Sequence, residues 1–116
     1  MPGNPWFICT LWLAQERIAR ARTEDELREA LPYVRWATSR ALPSGVLAEQ
    51  VDPFRNAPLS VSPLTWSHAT LVVAVMEYLE KLEGLRRCGS CGNSSYRPDI
   101  WRRGPRSRPD WLIPGT

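Results

Sequence analysis

Hydrophobic and polar positions divide the chain into three apolar-rich stretches, one long connection and a polar end. In the first stretch, Trp6, Phe7, Ile8, Leu11, Trp12, Leu13 and Ala14 surround a helix axis, and polarity returns only at Gln15, Glu16, Arg17, Arg20 and Arg22. A helix that is apolar nearly all round is buried on several sides. Asn4-Pro5 predicts its entry, with Asn as cap and Pro in the first turn. The second stretch opens on Thr23-Glu24-Asp25-Glu26. This is a capping box, in which Thr23 caps and Glu26 reaches back to its amide. Leu27, Leu31, Val34 and Thr38 then mark one stripe, with Arg28, Glu29, Arg35 and Arg40 elsewhere, as expected of a helix with one wet face. Pro32 lies inside this helix and should kink it or split it in two. The third stretch runs from about Pro63 to Leu82. Trp66, Ala69, Leu71, Val72, Val73, Ala74, Val75, Met76, Tyr78 and Leu79 again surround the axis, and charge enters only at Glu77.

The connection from about Leu42 to Ser62 contains Pro43, Gly45, Pro53, Asn56 and Pro58. A connection this long in a compact domain is functional or disordered. The predicted fold class is all-α, in the order buried helix, half-exposed helix, buried helix. Such alternation is what inner and outer helices of an α/α toroid give. Three helices cannot cover two that are apolar all round. The pattern therefore implies missing neighbours, from a larger parent fold or from partner chains, since an exposed face of that kind is an aggregation hazard. From Leu85 onward Gly, Ser, Arg and Pro dominate and periodicity vanishes. Residues 1–84 are thus read as the helical body and 85–116 as an irregular tail, which Trp101, Trp111, Leu112 and Ile113 could pin to the body.

A length of 116 residues fits one small domain rather than a large enzyme. Six Trp suit both a core and a ligand-stacking surface. The net charge of +3 hides an asymmetry: residues 1–84 carry eight Lys or Arg against ten Asp or Glu, and residues 85–116 carry seven Arg against two Asp. An acidic body gives no support to nucleic-acid binding as the main activity. The three Cys are an odd number. No signal-peptide pattern appears, and Gln15, Glu16 and Arg17 interrupt the first apolar stretch too early for it to span a bilayer. The expectation is a cytoplasmic chain in a reducing compartment, with no disulfide framework and no membrane partner.

The stretch Leu42-Pro43-Ser44-Gly45-Val46-Leu47-Ala48-Glu49-Gln50-Val51-Asp52 sets a carboxylate beside an amide, among apolar neighbours. A Glu desolvated by Val, Leu and Trp is readied for proton transfer. By composition alone, Glu49 reads first as an exposed loop acid, because loops are rich in such residues. Three segments resemble glucoamylases, glycoside hydrolase family fifteen. Gly3-Asn4-Pro5-Trp6-Phe7-Ile8-Cys9-Thr10-Leu11 looks like that family's Gly-Asn-Pro-Trp-Phe-Leu-Cys-Thr-Leu. Gly45-Val46-Leu47-Ala48-Glu49-Gln50-Val51-Asp52 looks like its Gly-x-x-x-Glu-Gln-x-Asp. Leu59-Ser60 and Leu64-Thr65-Trp66-Ser67, followed by Ala69, resemble its Gln-Leu-Ser and Leu-Thr-Trp-Ser-Tyr-Ala segments, with His68 in place of Tyr. The three come in the family's order across residues 3–75.

The resemblance implies the C-terminal part, about three helices, of a six-hairpin (α/α)6 toroid with a pocket at one end. It implies inverting hydrolysis of α-linked glucose, with Glu49 as general base. Gln50 would orient that base or its water, and Trp66 and Trp6 would line the pocket. For the last three the bland readings are loop satisfaction for Gln50 and core packing for the two Trp. An inverting enzyme needs a second carboxyl roughly 6.5–9.5 Å away. The family's general acid belongs to a segment outside this chain, and Glu16, Glu77 and Asp52 do not replace it. The expected partners are therefore an α-glucan or glucose-containing oligosaccharide and the remainder of the barrel, in the same or a neighbouring chain; the 116 residues alone should be inactive. No cofactor is expected.

The other reading is a non-catalytic helical remnant or interaction module with a zinc-knuckle-like basic tail. Cys88-Gly89-Ser90-Cys91-Gly92 is half of a zinc ribbon. Cys9 and His68, both expected to be buried in helices, do not complete it, so no metal is assigned. The tail arginines, with Tyr96 and Trp101 between them, could bind single-stranded nucleic acid, but a solvated, disordered tail is the preferred reading and a nucleic-acid partner is not expected. His68, lone on a buried helix, reads as a hydrogen-bonded core residue.

Overall fold

The computed structural model describes residues 3–91, with side chains described for residues 3–86. The described chain is all-α apart from one two-residue ladder. Its elements are α1 (Phe7–Arg20), α2 (Glu24–Arg28), α3 (Leu31–Thr38), β1 (Gln50–Val51), β2 (Pro58–Leu59) and α4 (Thr65–Cys91). Helix α1 packs mainly on α4 and α3.

The second helical stretch divides as its sequence requires. Thr23 is extended, and its hydroxyl accepts the Glu26 N–H at 3.2 Å. The Glu26 carboxylate does not close the box on Thr23; it accepts the Arg22 N–H instead, at 2.7 Å. The helix then breaks, and Pro32 stands in the first turn of α3, where a missing N–H costs nothing.

The entry to α1 differs from expectation. The helix starts at Phe7, and the extended Trp6 occupies the cap position without a side-chain cap bond. Asn4-Pro5 is not a cap and first turn but a strand-like approach: Trp6 bridges antiparallel to Gln50, and the Pro5 carbonyl accepts the Val51 N–H at 2.9 Å. The Glu49 carbonyl accepts the Phe7 N–H at 3.2 Å, so the long connection itself satisfies a free donor of the first turn.

The core has two clusters. Phe7, Leu11, Ala37, Leu47, Ala48, Val51 and Ala74 form the one beside the connection, where Phe7 and Trp36 meet at a ring separation of 5.5 Å. Ala14, Ile18, Ala21, Leu27 and Ala30 form the other. Both sit on the inner side of α1. Other apolar residues of α1 and α4 lie outside: Trp12, Leu13, Trp66, Val72, Val73, Met76 and Leu79 are exposed. Among the described residues neither helix is buried all round, and Cys9 is exposed rather than buried. The physical reason is that the described elements are too few to surround both helices.

Helix α4 extends to Cys91, seven residues past the expected boundary at 84. Residues 85–91 are helical backbone because Leu85 still packs on the second cluster and Arg86 Nε donates to Glu24 at 3.0 Å. The rest of the basic tail, with Tyr96, Trp101, Trp111, Leu112 and Ile113, lies outside the described residues, as do the side chains of Cys88 and Cys91. Among the described residues no helix is long and apolar enough to cross a membrane.

Candidate active site

The connection between α3 and α4 is a fastened loop. Leu47, Ala48 and Val51 are buried in the first core cluster, and they leave Glu49 and Gln50 half-buried at its edge. The antiparallel pair β1–β2 aligns Gln50 with Leu59 and Val51 with Pro58. Just before it, the Glu49 N–H donates to the Val61 carbonyl at 2.9 Å. Gln50 is thus paired on both sides, to Trp6 and to Leu59. On the far side Leu64 N–H donates to the Leu47 carbonyl at 3.0 Å, and the buried Ser67 hydroxyl donates to the Ala48 carbonyl at 2.8 Å. The loop therefore ties the start of α1 to the start of α4.

This scaffold aims one carboxylate. Glu49 Oε2 accepts the Ser60 hydroxyl at 2.6 Å and the Gln50 Nε2 amide at 3.0 Å. Gln50 Oε1 in turn accepts Asn4 Nδ2 at 2.9 Å. The four residues form a chain, Asn4 to Gln50 to Glu49 from one side and Ser60 from the other. Both donors converge on Oε2, and among the described residues no hydrogen bond engages Oε1. The surroundings of Glu49 are polar and hydrogen-bonded, not the wholly apolar setting that its sequence neighbours suggested. Those neighbours turn into the core, and the acid turns away from it.

Ser60 escapes a reading of the sequence as a candidate in its own right. Its backbone has φ 70, the left-handed region that non-glycine residues occupy at a cost of about 1–2 kcal/mol. Such strain persists where the surroundings over-determine it. The signal available in the sequence was its place in the Leu59-Ser60 match; its conformation had none.

The two aromatic candidates separate. Trp66 is 54% exposed and meets Trp12 edge to face, at 5.9 Å between centroids. It is not core. Trp6 is half-buried beside Gln50. His68 is half-buried, and its Nε2 accepts the Leu47 N–H at 3.0 Å.

The three other carboxylates weighed from the sequence, Glu16, Glu77 and Asp52, are engaged elsewhere. Glu16 pairs with Arg20 at 2.7 Å, and Glu77 accepts Gln15 Nε2 at 3.0 Å. Asp52 closes its own turn, and Asn56 there has φ 54. The amides of Phe54 and Arg55 donate to Asp52 Oδ1 and hold its carboxyl below the usual carboxylate range, helped by the Arg55 charge. A carboxyl shifted down adds stability that is present above its unfolded value and lost as the pH falls through the folded one, so this turn weakens only in acid below about pH 4. Among the described residues no group of three or more His, Cys, Asp or Glu comes together to hold a metal. A polar cleft of about 460 Å³ between the end of α1 and α2 is lined by Glu16, Arg17, Arg20, Arg22, Glu26 and Glu29, none of them on the Glu49 loop.

The chain is similar to an uncharacterized glycosyl hydrolase of Methanocaldococcus jannaschii, with 30% identity over 84 residues. The matched region is 65% of this chain and 14% of that protein. No protein-family profile matches the chain, and no solved structure does.

Proposed function

We propose that the chain is the base-carrying segment of a glycoside hydrolase of the glucoamylase type, acting by inversion on α-linked glucose. One observation carries this reading: the Glu49 carboxylate is fixed through Oε2 by two donors, while among the described residues no hydrogen bond engages Oε1. That is what a general base requires. Oε1 takes a proton from water as the water oxygen bonds to the anomeric carbon, and the glycosidic oxygen leaves with a proton from an acid on the opposite face. The similarity to a glycosyl hydrolase supports the reaction class, and the three motif segments support the glucoamylase type.

The acid belongs outside these residues, since Glu16, Glu77 and Asp52 all have other partners. The exposed apolar faces of α1 and α4 are where further helices of an (α/α)6 toroid would pack, and a match that covers 14% of the relative leaves room for them in a longer or neighbouring chain. In that assembly Trp66 and Trp12 form an aromatic wall beside the loop, Trp6 flanks Gln50, and Gln50 holds the base.

Glucose release from maltooligosaccharides and trehalose tests the reading. The purified chain is assayed alone and mixed with the upstream part of such a barrel, beside Glu49→Gln. The expected result is activity only in the mixture, β-glucose as first product, and loss in the variant. A folded mixture that releases no glucose overturns the reading and leaves a non-catalytic helical module.

A further inference from the structure

The backbone just before Glu49 is held by two consecutive residues of α4. The Ser67 hydroxyl donates to the Ala48 carbonyl at 2.8 Å. His68, the only histidine of the chain, receives the Leu47 N–H on Nε2 at 3.0 Å. Leu47 is buried, and its carbonyl is taken by the Leu64 N–H at 3.0 Å. Both polar groups of Leu47 and the carbonyl of Ala48 are therefore spoken for by the segment that starts α4.

The direction of the His68 bond fixes the state of the ring. A backbone N–H can only donate, so Nε2 must offer a lone pair. The imidazole is then neutral and its proton sits on Nδ1. An apolar side chain at this position would leave the buried Leu47 N–H without a partner, and a short hydroxyl would not reach across from helix to loop.

We propose that His68, accepting on Nε2 and protonated on Nδ1, is a positioning residue that fixes the Leu47–Ala48 backbone and through it the aim of Glu49. Its catalytic meaning rests on the reading of Glu49 as the base; the latch itself does not. The charged groups on the surrounding elements have their own partners. Glu49 is held by Ser60 and Gln50, Asp52 by the Phe54 and Arg55 amides, Arg40 by Asn56 and the Trp36 ring, and Glu77 by Gln15. Among the described residues none of them bonds to the His68 ring, so Leu47 is the partner that its Nε2 holds.

The test is nitrogen-15 NMR of the full chain, which needs no catalysis and so separates the latch from the glycosidase reading. The wild-type imidazole at neutral pH is expected in the Nδ1–H form. Leu47 amide exchange, scaled for intrinsic base catalysis, is expected to rise roughly tenfold in His68→Phe. His68→Gln offers a carbonyl at similar reach and should keep Leu47 protected. An imidazole in the Nε2–H form, or sampling both forms as free histidine does, overturns the proposal. So does equal Leu47 protection in His68→Phe and wild type, or a His68→Gln chain that loses the Leu47 protection.

Discussion

The loop that carries Glu49 and the outer faces of α1 and α4 are opposites. The loop has almost no regular structure, yet its polar groups are tied down from several directions: Pro5, Asn4, Phe7, Ser60, Val61, Leu64, Ser67 and His68 all bond to residues 47–51. The helices have all their backbone bonds, yet Trp12, Leu13, Trp66, Val72, Val73, Met76 and Leu79 face outward without cover. Regularity and completeness are thus separate properties. A loop can be finished within its own chain when its hydrogen bonds close locally, whereas an apolar helix face is finished only by another apolar surface.

The largest effect that would test the finished side is chemical. Glu49→Gln keeps the shape and the Ser60 contact but cannot take a proton. In an active assembly kcat should fall by about 10²–10⁴-fold, the usual contribution of a general base. A fall of less than tenfold would mean that the loop is built with care for something other than proton transfer.

Next comes the inner side of α1, where the two regions share a core. Phe7 is fully buried between the loop and Trp36, so Phe7→Ala should lower stability by about 3–5 kcal/mol in chemical denaturation. The outer face gives the contrast. Leu79 is 57% exposed, and Leu79→Lys should change the stability of the isolated chain by less than about 0.5 kcal/mol. The same variant should weaken association with an upstream barrel fragment, measured by titration calorimetry. A large loss in the isolated chain would show that α4 finds cover within these 116 residues after all.

These contrasts also mark what the sequence made legible. The break at Pro32 and the Thr23 cap were readable because each acts within one helical turn. The surplus of apolar residues on α1 and α4 was readable too. What it hid was which residues the chain would cover: Trp12 and Cys9 read as interior and lie outside. Asn4-Pro5 carried a true helix-entry signal, but pairing with Gln50 and Val51, some 46 residues away, overrode it. Strands two residues long have no period to detect. Within the site, Glu49 and Gln50 stood out as a motif, whereas the second donor to Glu49 depends on a left-handed serine that no pattern announces.

That serine gives the sharpest probe. Ser60 makes the 2.6 Å bond to Glu49 and holds φ 70 to make it. Two substitutions separate the bond from the strain. Ser60→Ala removes the hydroxyl and keeps a Cβ in the left-handed region, so it loses the bond and leaves the strain. Ser60→Gly removes both, because glycine populates positive φ freely. The glycine variant should therefore be more stable than the alanine variant by about 1 kcal/mol in denaturant titrations. In an active assembly both should lose turnover to a similar extent, of roughly tenfold, since both lose one hydrogen bond to a charged group. If Ser60→Gly were as active as the wild type, Gln50 alone would suffice to aim the base. The strain at Ser60 would then serve the path of the loop and not its carboxylate.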